Sequence, residues 1–147
     1  MEHLITMLQE KHVQFEFIHH EKQIRTAQEG ADYFGIDIGQ TAPTLVLKSE
    51  KGYYAIILSG SRGRIHLEEV AQILGCGQLK MATPEEVEQV TGYTVGSVSL
   101  VLSLPCIVDR RLYRFPFIYG GSGETTSTLK IAPQALEKIN QVVAYWD

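Results

Sequence analysis

The sequence contains few cysteines. Its 147 residues include two, Cys76 and Cys106, which lie far apart and outside any Cys-x-x-Cys pair. A small secreted domain held together by disulfides would contain more, and would contain them at close spacing. We therefore expect two free thiols and a cytoplasmic protein.

The sequence also lacks a basic excess and long apolar runs. Its formal net charge is −4 and its pI is about 5.7. Proteins that bind long stretches of nucleic acid usually carry a positive surface, so this charge argues against such a surface but allows a local cluster that binds one nucleotide end. No segment approaches the roughly 20 apolar residues that cross a bilayer, and Met1–Thr6 does not resemble a signal peptide. We expect no membrane association.

The composition, 44% hydrophobic and 20% charged, predicts one globular domain over residues 1–147. Helical and strand-like periodicities mix along the chain without strict alternation, which favours a mixed sheet with helices packed around it. Predicted helices cover residues 2–12, 27–34, 84–91 and 133–139, and a further helix carries Val70, Ile73 and Leu74. Gly35 and Gly75 are placed to end the second and third of these helices along the chain. Predicted strands cover residues 13–19, 44–47, 53–58, 79–81, 106–108, 115–119 and 129–131, and residues 142–146 form an apolar tail.

The most informative stretch is Met81–Ser99. Thr83 is a good helix N-cap, Pro84 a good first helical residue, and Glu86 completes a capping box. Gly92 is placed to end this helix, and Gly96 follows four residues later. Such a glycine pair allows the main chain to approach a ligand closely. The alternative is a helix end followed by a tight turn.

The chain resembles the YbaK/EbsC family, which includes the editing domain of bacterial prolyl-tRNA synthetases. The resemblance covers nearly the whole chain and rests on an ordered set of short motifs: Thr26–Ala31, Thr44–Leu47, Arg64–Ala71, Ala82–Val87, Thr91–Ser99 and Gly120–Gly123. It implies an α/β fold in which a curved, barrel-like mixed β-sheet is surrounded by helices and forms a small cleft.

The resemblance also implies an activity, hydrolysis of the ester that joins a wrong amino acid to a tRNA 3′ end. The implied substrates are small aminoacyl groups such as alanine, cysteine or serine, including those on prolyl tRNA. The implied partners are the tRNA 3′ end and an aminoacyl-tRNA synthetase, and no cofactor is implied. Domains of this kind have no strong protein nucleophile; a glycine-rich loop holds the carbonyl while a ribose hydroxyl or a water attacks, which fits the gain from oriented donors in ester hydrolysis.

The resemblance assigns roles to particular residues. The carbonyl-holding loop would comprise Gly92, Gly96, Ser97 and Ser99. A second loop lining the cleft would comprise Gly120, Gly121 and Gly123, with Thr44 as a further substrate contact. From the residues alone, the two serine hydroxyls could instead bond their own backbone, and the second glycine loop could be a flexible hairpin or a backbone nest for an anion.

The sequence departs from the family pattern at Pro43, where relatives usually have a lysine that can hold the terminal phosphate or ribose. Proline has neither charge nor N–H, so another cation is needed. The candidates are Lys48, Arg62, Lys80 and Arg64. Lys48 lies an odd number of residues from Pro43, so a regular strand would place it on the opposite face.

Two further features remain open from the sequence. Leu100 follows Ser99 where relatives usually have proline. Together with Pro43, this departure supports a second hypothesis. The chain would then be a binding module that captures an aminoacyl-tRNA end, an aminoacyl-adenylate or an amino acid without hydrolysing it. A domain with only a structural or protein-binding role is a third, weaker hypothesis.

The run His19-His20-Glu21 lacks further ligands at metal-binding spacing, so we predict no metal site.

Overall fold

The computed structural model describes residues 2–147. Within this part of the chain the α-helices are α1 (Glu2–Glu10), α2 (Ala27–Phe34), α3 (Leu67–Leu74), α4 (Pro84–Thr91) and α5 (Leu136–Ile139). The strands are β1 (Phe15–His19), β2 (Thr41–Ala42), β3 (Thr44–Ser49), β4 (Gly52–Ile57), β5 (Leu79–Met81), β6 (Cys106–Asp109), β7 (Ile118–Gly121), β8 (Ser127–Ile131) and β9 (Val142–Trp146). None of these helices is long and apolar enough to span a membrane.

The strands form two mixed sheets. One has the order β1-β8-β7-β2 and the other the order β5-β3-β4-β6-β9. Three pairs are parallel, β2 with β7, β4 with β6 and β6 with β9, while the other pairs are antiparallel. The predicted α/β class with a mixed sheet and surrounding helices is confirmed. The sheet is divided in two and does not close into a barrel.

The chain passes from one sheet to the other at Pro43. Strand β2 pairs with β7 in the first sheet, and β3 pairs with β4 in the second. Proline cannot donate a ladder hydrogen bond, so it suits a point where one pairing ends and another begins. Its carbonyl remains in use, because it accepts a hydrogen bond from the Leu58 N–H at 2.9 Å.

Helix α4 begins and ends as its sequence predicts. The Glu86 N–H donates to the Thr83 hydroxyl at 3.2 Å, and the Thr83 N–H donates to the Glu86 carboxylate at 3.0 Å, which completes the capping box. Gly92, with φ +80°, occupies the left-handed C-cap. The buried side of the helix packs through Val87 against Val98, so α4 supports the loop that follows it.

The structure corrects several predicted boundaries. Residues 110–114 form a 3₁₀ helix, and the Phe115 N–H closes its last turn on the Leu112 carbonyl. The strand predicted over residues 115–119 therefore starts at Ile118. The predicted terminal helix is a 3₁₀ turn over Pro133–Ala135 followed by α5. The apolar tail forms β9, which pairs with β6 and buries Trp146.

Candidate functional site

A cavity of about 250 Å³ lies beside the crossing between the sheets. Its wall is formed by residues 24–27, 30, 34, 41–45, 95–96, 98, 119–121, 124 and 127–128. An apolar cavity of roughly 150 Å³ accepts a ligand the size of benzene, so this cavity has room for a small aminoacyl group. Phe34 and Tyr119, with ring centroids 5.2 Å apart, contribute an aromatic part of the wall.

One wall is a β-turn centred on Val95 and Gly96. The Ser97 N–H donates to the Thr94 carbonyl at 3.0 Å, which closes the turn. Gly96 has φ +92°, the conformation that a type II turn requires at its third residue. Within residues 2–147 the Gly96 N–H donates to no protein acceptor. The turn therefore leaves a backbone donor without a partner on a residue that lines the cavity.

The two glycine segments identified in the sequence meet in the structure. A Cβ atom on Gly121 would lie 1.8 Å from the Val98 carbonyl oxygen, and one on Gly120 would lie 2.6 Å from a methyl carbon of Leu100. The absence of these side chains lets residues 98–100 lie directly on β7. The Leu100 N–H donates to the Gly121 carbonyl at 2.9 Å, a bond that proline could not make. Leu100, a departure from the family pattern, thus fastens the loop.

Gly92 and Gly123 are not among the residues that line the cavity. Gly92 caps α4, where no other atom comes within 4 Å of a Cβ position. Gly123 has φ +101° and lies under the Tyr93 ring, whose nearest carbon would be 2.7 Å from a Cβ. Both positions thus favour glycine for structural reasons: Gly92 adopts a positive φ at the end of a helix, and Gly123 has a positive φ and no room for a side chain under the Tyr93 ring.

The hydroxyls of Ser97 and Ser99 bond backbone close to them in the chain. Ser97 donates to the Thr94 carbonyl at 3.1 Å, and Ser99 accepts from the Val101 N–H at 3.0 Å. Both side chains are buried, and neither residue lines the cavity. This arrangement matches the second of the two interpretations left open by the sequence, and it holds the loop in shape beside Gly96.

Lys48 and Lys80 lie away from this cavity. Both line a second cavity of about 530 Å³ on another part of the five-stranded sheet. Pro43, by contrast, lines the first cavity. The Lys48 ammonium lies 2.7 Å from the Glu86 carboxylate. Lys48 therefore ties β3 to α4, and neither lysine replaces a cation at position 43.

The Lys48 contact changes the ionisation of Glu86. The pKa of Glu86 is lowered to about 2, mainly by the hydrogen bond from Lys48 and then by bonds from the Thr83 N–H and the Tyr53 hydroxyl. The Tyr53 hydroxyl lies 2.6 Å from the carboxylate. One carboxylate thus serves as helix cap, ion-pair partner and hydrogen-bond acceptor.

Arg62 has a structural position and does not line the cavity. Its guanidinium contacts both carboxylate oxygens of Asp109, at 2.8 and 2.9 Å, and lies 3.9 Å from the centre of the Trp146 ring. Asp109 is fully buried. Burial raises its pKa, but the hydrogen bonds from Arg62 and from the N–H groups of Ser59 and Arg111 outweigh burial, so the net pKa is lowered. This pair joins a loop to the end of β6.

Arg25 is the residue that the sequence interpretation missed. It is exposed, it immediately precedes the N-cap Thr26, and within residues 2–147 it is the only lysine or arginine that lines the cavity. Its guanidinium donates to the Gln23 side chain and forms no ion pair in the described chain. Glu124, also exposed and outside any ion pair there, lines the cavity too. The wall therefore carries one group of each charge.

Five serine and threonine side chains also line the cavity, and their hydroxyls fall into two groups. Those of Thr26, Thr41 and Thr128 have partners: the Glu29 N–H, the Ile38 carbonyl and the His20 ring. Those of Thr44 and Ser127 are buried without a partner in the described chain.

His20 uses both ring nitrogens inside the protein. Its Nδ1 lies 2.6 Å from the Lys22 carbonyl and donates to it, so in the neutral ring Nε2 accepts from the Thr128 hydroxyl at 3.0 Å. Residues 2–147 contain no group of three or more histidine, cysteine, aspartate or glutamate side chains that could hold a metal ion.

Known proteins resemble the chain at both the sequence and the structural level. A prolyl-tRNA ligase of Thermosipho melanesiensis is 29% identical over 105 residues, which is 69% of this chain and 18% of the ligase. One of Caldicellulosiruptor saccharolyticus is 25% identical over 108 residues, 73% of this chain and 19% of the ligase. The chain thus spans less than a fifth of the length of these relatives.

A solved structure described as a candidate trans-editing enzyme for prolyl tRNA synthetase superposes with a TM-score of 0.85 at 28% identity. The match covers 97% of this chain and 92% of that one. The family model for the aminoacyl-tRNA editing domain matches residues 21–139, which include every segment that lines the cavity. The chain therefore belongs to the aminoacyl-tRNA editing domain family.

Proposed function

We propose that the chain is a single editing domain that acts in trans in the cytoplasm as an aminoacyl-tRNA deacylase. The observation that carries this proposal is the meeting of the Gly96 turn and the β7 glycines at one cavity, with the Gly96 N–H free to donate. The editing-domain family and the likeness to prolyl-tRNA ligases support a tRNA 3′ end as substrate, with a synthetase as its source.

The proposed reaction is addition of water, or of a substrate ribose hydroxyl, to the ester carbonyl. The carbonyl oxygen becomes an oxyanion, and the free Gly96 N–H is placed to stabilise it. The bond between the carbonyl carbon and the ribose oxygen then breaks, and the ribose oxygen takes up a proton. With water as attacker the products are a free amino acid and an uncharged tRNA end. Donors fixed in advance by backbone geometry are effective because they need no rearrangement as charge develops.

Arg25 is the cation that we assign to the nucleotide. A guanidinium at the cavity wall can bind a phosphate through two N–H groups, whereas the lysine expected at position 43 would bind it as a point charge. Glu124 offers a carboxylate for the α-ammonium of the aminoacyl group. The volume favours small aminoacyl groups such as alanine, cysteine and serine.

A second candidate function is a binding module that captures the same tRNA end without hydrolysis. The observation that favours it is Pro43, which lines the cavity where the family's usual lysine would stand. Without that lysine, binding of the aminoacyl end through the loop and Arg25 would persist while alignment of the attacking group would be lost.

The test is deacylation by purified protein of a panel of mischarged tRNAs that carry alanine, cysteine or serine, with prolyl tRNA among the acceptors. We expect turnover of one or two esters, and a fall of about 10²–10³ in kcat for Gly96→Ala, since the substitution strains the turn and shifts the donor. The matched control is Gly63→Ala, which imposes a similar positive-φ strain (+73°) in a loop away from the cavity and has open space at the Cβ position. No turnover across the panel by a folded protein would favour the binding module.

A further inference from the structure

We propose that one end of the five-stranded sheet binds RNA, and that Arg64, Arg111 and Arg114 hold phosphates of a tRNA acceptor stem there. These three side chains are called the arginine surface below. The proposal rests on the proposed function for the identity of the RNA, and extends it from the charged 3′ end to the duplex behind that end. It starts from the unequal distribution of arginine and lysine in the fold.

Arginine and lysine lie at opposite ends of the five-stranded sheet. Strands β4 and β6 are parallel neighbours and end at the same edge. The segments that follow them, residues 59–64 and 110–114, contain five of the six arginines of the sequence. The turn before β4 carries Lys51, and Lys48 pairs with Lys80 across β3 and β5 beside that turn. The guanidinium groups are thus collected at one end of the sheet.

The two arginine-bearing segments contain no acidic residue. The acid next to them is Asp109, the buried last residue of β6. Its carboxylate accepts from the N–H groups of Ser59 and Arg111, each at 2.9 Å, and pairs with Arg62. One buried carboxylate therefore fixes both segments relative to each other, while Arg62 neutralises its charge. The charge left on the segments is positive.

Three of these arginines are available to a ligand. Arg110 is engaged, because its guanidinium lies 2.5 Å from the Asp147 carboxylate. Arg64, Arg111 and Arg114 form no ion pair within residues 2–147. Arg64 and Arg114 are exposed, and Arg111 is half-buried. An exposed group of unpaired guanidiniums on a fixed backbone is suited to binding anions, since arginine donates two parallel hydrogen bonds to one phosphate.

The arginine surface is connected to the cavity on two sides. The loop after β4 lies against the start of α2, where a Cβ atom on Gly60 would be 3.0 Å from that of Ala27, a residue of the cavity wall. The Arg111 guanidinium donates to a backbone carbonyl of the same loop at 3.5 Å. Along the chain, Arg114 is five residues from Tyr119 of the cavity wall, a distance of at most about 18 Å.

An acceptor stem is the anion that matches this position. Only the 3′ tip of a tRNA can enter a cavity of about 250 Å³, and the stem begins a few nucleotides behind that tip. The chain as a whole carries a net charge of −4, so a polyanion is drawn to the arginine end and repelled elsewhere. Phosphate contacts fix position and carry no sequence information. The arginine surface therefore orients the tRNA and leaves recognition of the ester to the cavity.

The experiment measures the affinity of uncharged tRNA for wild type and for the double variant Arg111→Gln with Arg114→Gln over a range of salt concentrations. The slope of log affinity against log salt should fall by about two, and the affinity at low salt by about tenfold or more. Arg64→Gln alone should lower the slope by about one. The control, Lys51→Gln with Lys80→Gln, removes the same charge from the other end of the sheet and should leave both quantities close to wild type.

A stem-free ligand separates this proposal from the deacylase assignment. A stable amide analogue of alanyl-adenosine should bind equally to wild type and to the double arginine variant, whose thermal midpoint should also be that of wild type. A loss of tRNA affinity in that variant, with no turnover of any ester by wild type, would contradict the deacylase and support the arginine surface. No binding of tRNA by wild type, an unchanged salt slope in the arginine variants, or an equal loss in the lysine control would overturn the arginine surface.

Discussion

The backbone of Gly121 lies against the carbonyl of Val98 so closely that a Cβ atom at residue 121 would stand 1.8 Å from that oxygen. This contact joins β7 to the loop that carries Gly96. Because both partners are backbone, neither can rotate away, and any side chain at residue 121 must push the two segments apart.

The first prediction is therefore that Gly121→Ala displaces the loop. We expect a loss of about 1–3 kcal/mol in the free energy of unfolding, the usual range for overpacking, together with a loss of deacylation. Urea unfolding and ester turnover measure the two effects. Gly77→Ala is the control, because the nearest atom to its Cβ position is a carboxylate oxygen of Glu50 at an ordinary 3.6 Å. Wild-type stability and turnover in Gly121→Ala would contradict the packing described here.

The second prediction concerns Arg25. If its guanidinium binds a phosphate of the tRNA end, Arg25→Gln should raise KM about tenfold and change kcat little, and the slope of log affinity against log salt should fall by about one. Lys22→Gln is the matched control, since Lys22 is exposed on the same segment but does not line the cavity. An unchanged KM and an unchanged salt slope in Arg25→Gln would exclude the phosphate contact.

The third prediction concerns acid stability. The pKa of Glu86 is lowered to about 2 by Lys48, Thr83 and Tyr53, so its ionised form stabilises the folded state. This contribution is fully present above the ordinary pKa of 4.5 and is lost as the pH falls towards about 2. Glu86→Gln should lower stability at neutral pH and flatten its loss between those values.

Chemical unfolding at pH 7, 4.5, 3 and 2.5 measures this pH dependence. Glu85→Gln removes a charge from the same helix turn without touching Lys48, and should leave the pH dependence close to that of wild type. An equal flattening in both variants would assign the effect to the charge of the first helix turn rather than to the Lys48 contact.

Local chemistry explains which elements the sequence could predict. The Thr83 cap, the proline at the first position of α4 and the glycines that end α2, α3 and α4 act within one turn of the chain, and all are found as predicted. The division into two sheets was not predicted, because it depends on pairings between distant strands such as β2 with β7.

The contacts of the candidate cations are also long-range. The sequence offers Lys48, Lys80 and Arg62 by their charge, but Lys48 and Arg62 find their partners far along the chain, as Arg62 does in Asp109. Arg25 precedes a helix cap, and no local pattern marks it as a residue of the cavity wall. Its position at the cavity follows from β1 and β8 pairing, which brings residues 20–24 beside residues 125–126.

The crossing of the chain between the sheets has an evolutionary consequence. At residue 43 only the carbonyl is hydrogen-bonded, and every amino acid supplies a carbonyl. The side chain there lines the cavity, so exchanging proline for lysine leaves the hydrogen bonds of the two sheets unchanged. A lineage can give up the lysine once a guanidinium stands at residue 25, and it can regain the lysine by the reverse route. Pro43→Lys should therefore restore tRNA affinity to Arg25→Gln at a folding cost of no more than about 1 kcal/mol, the usual contribution of a well-placed proline.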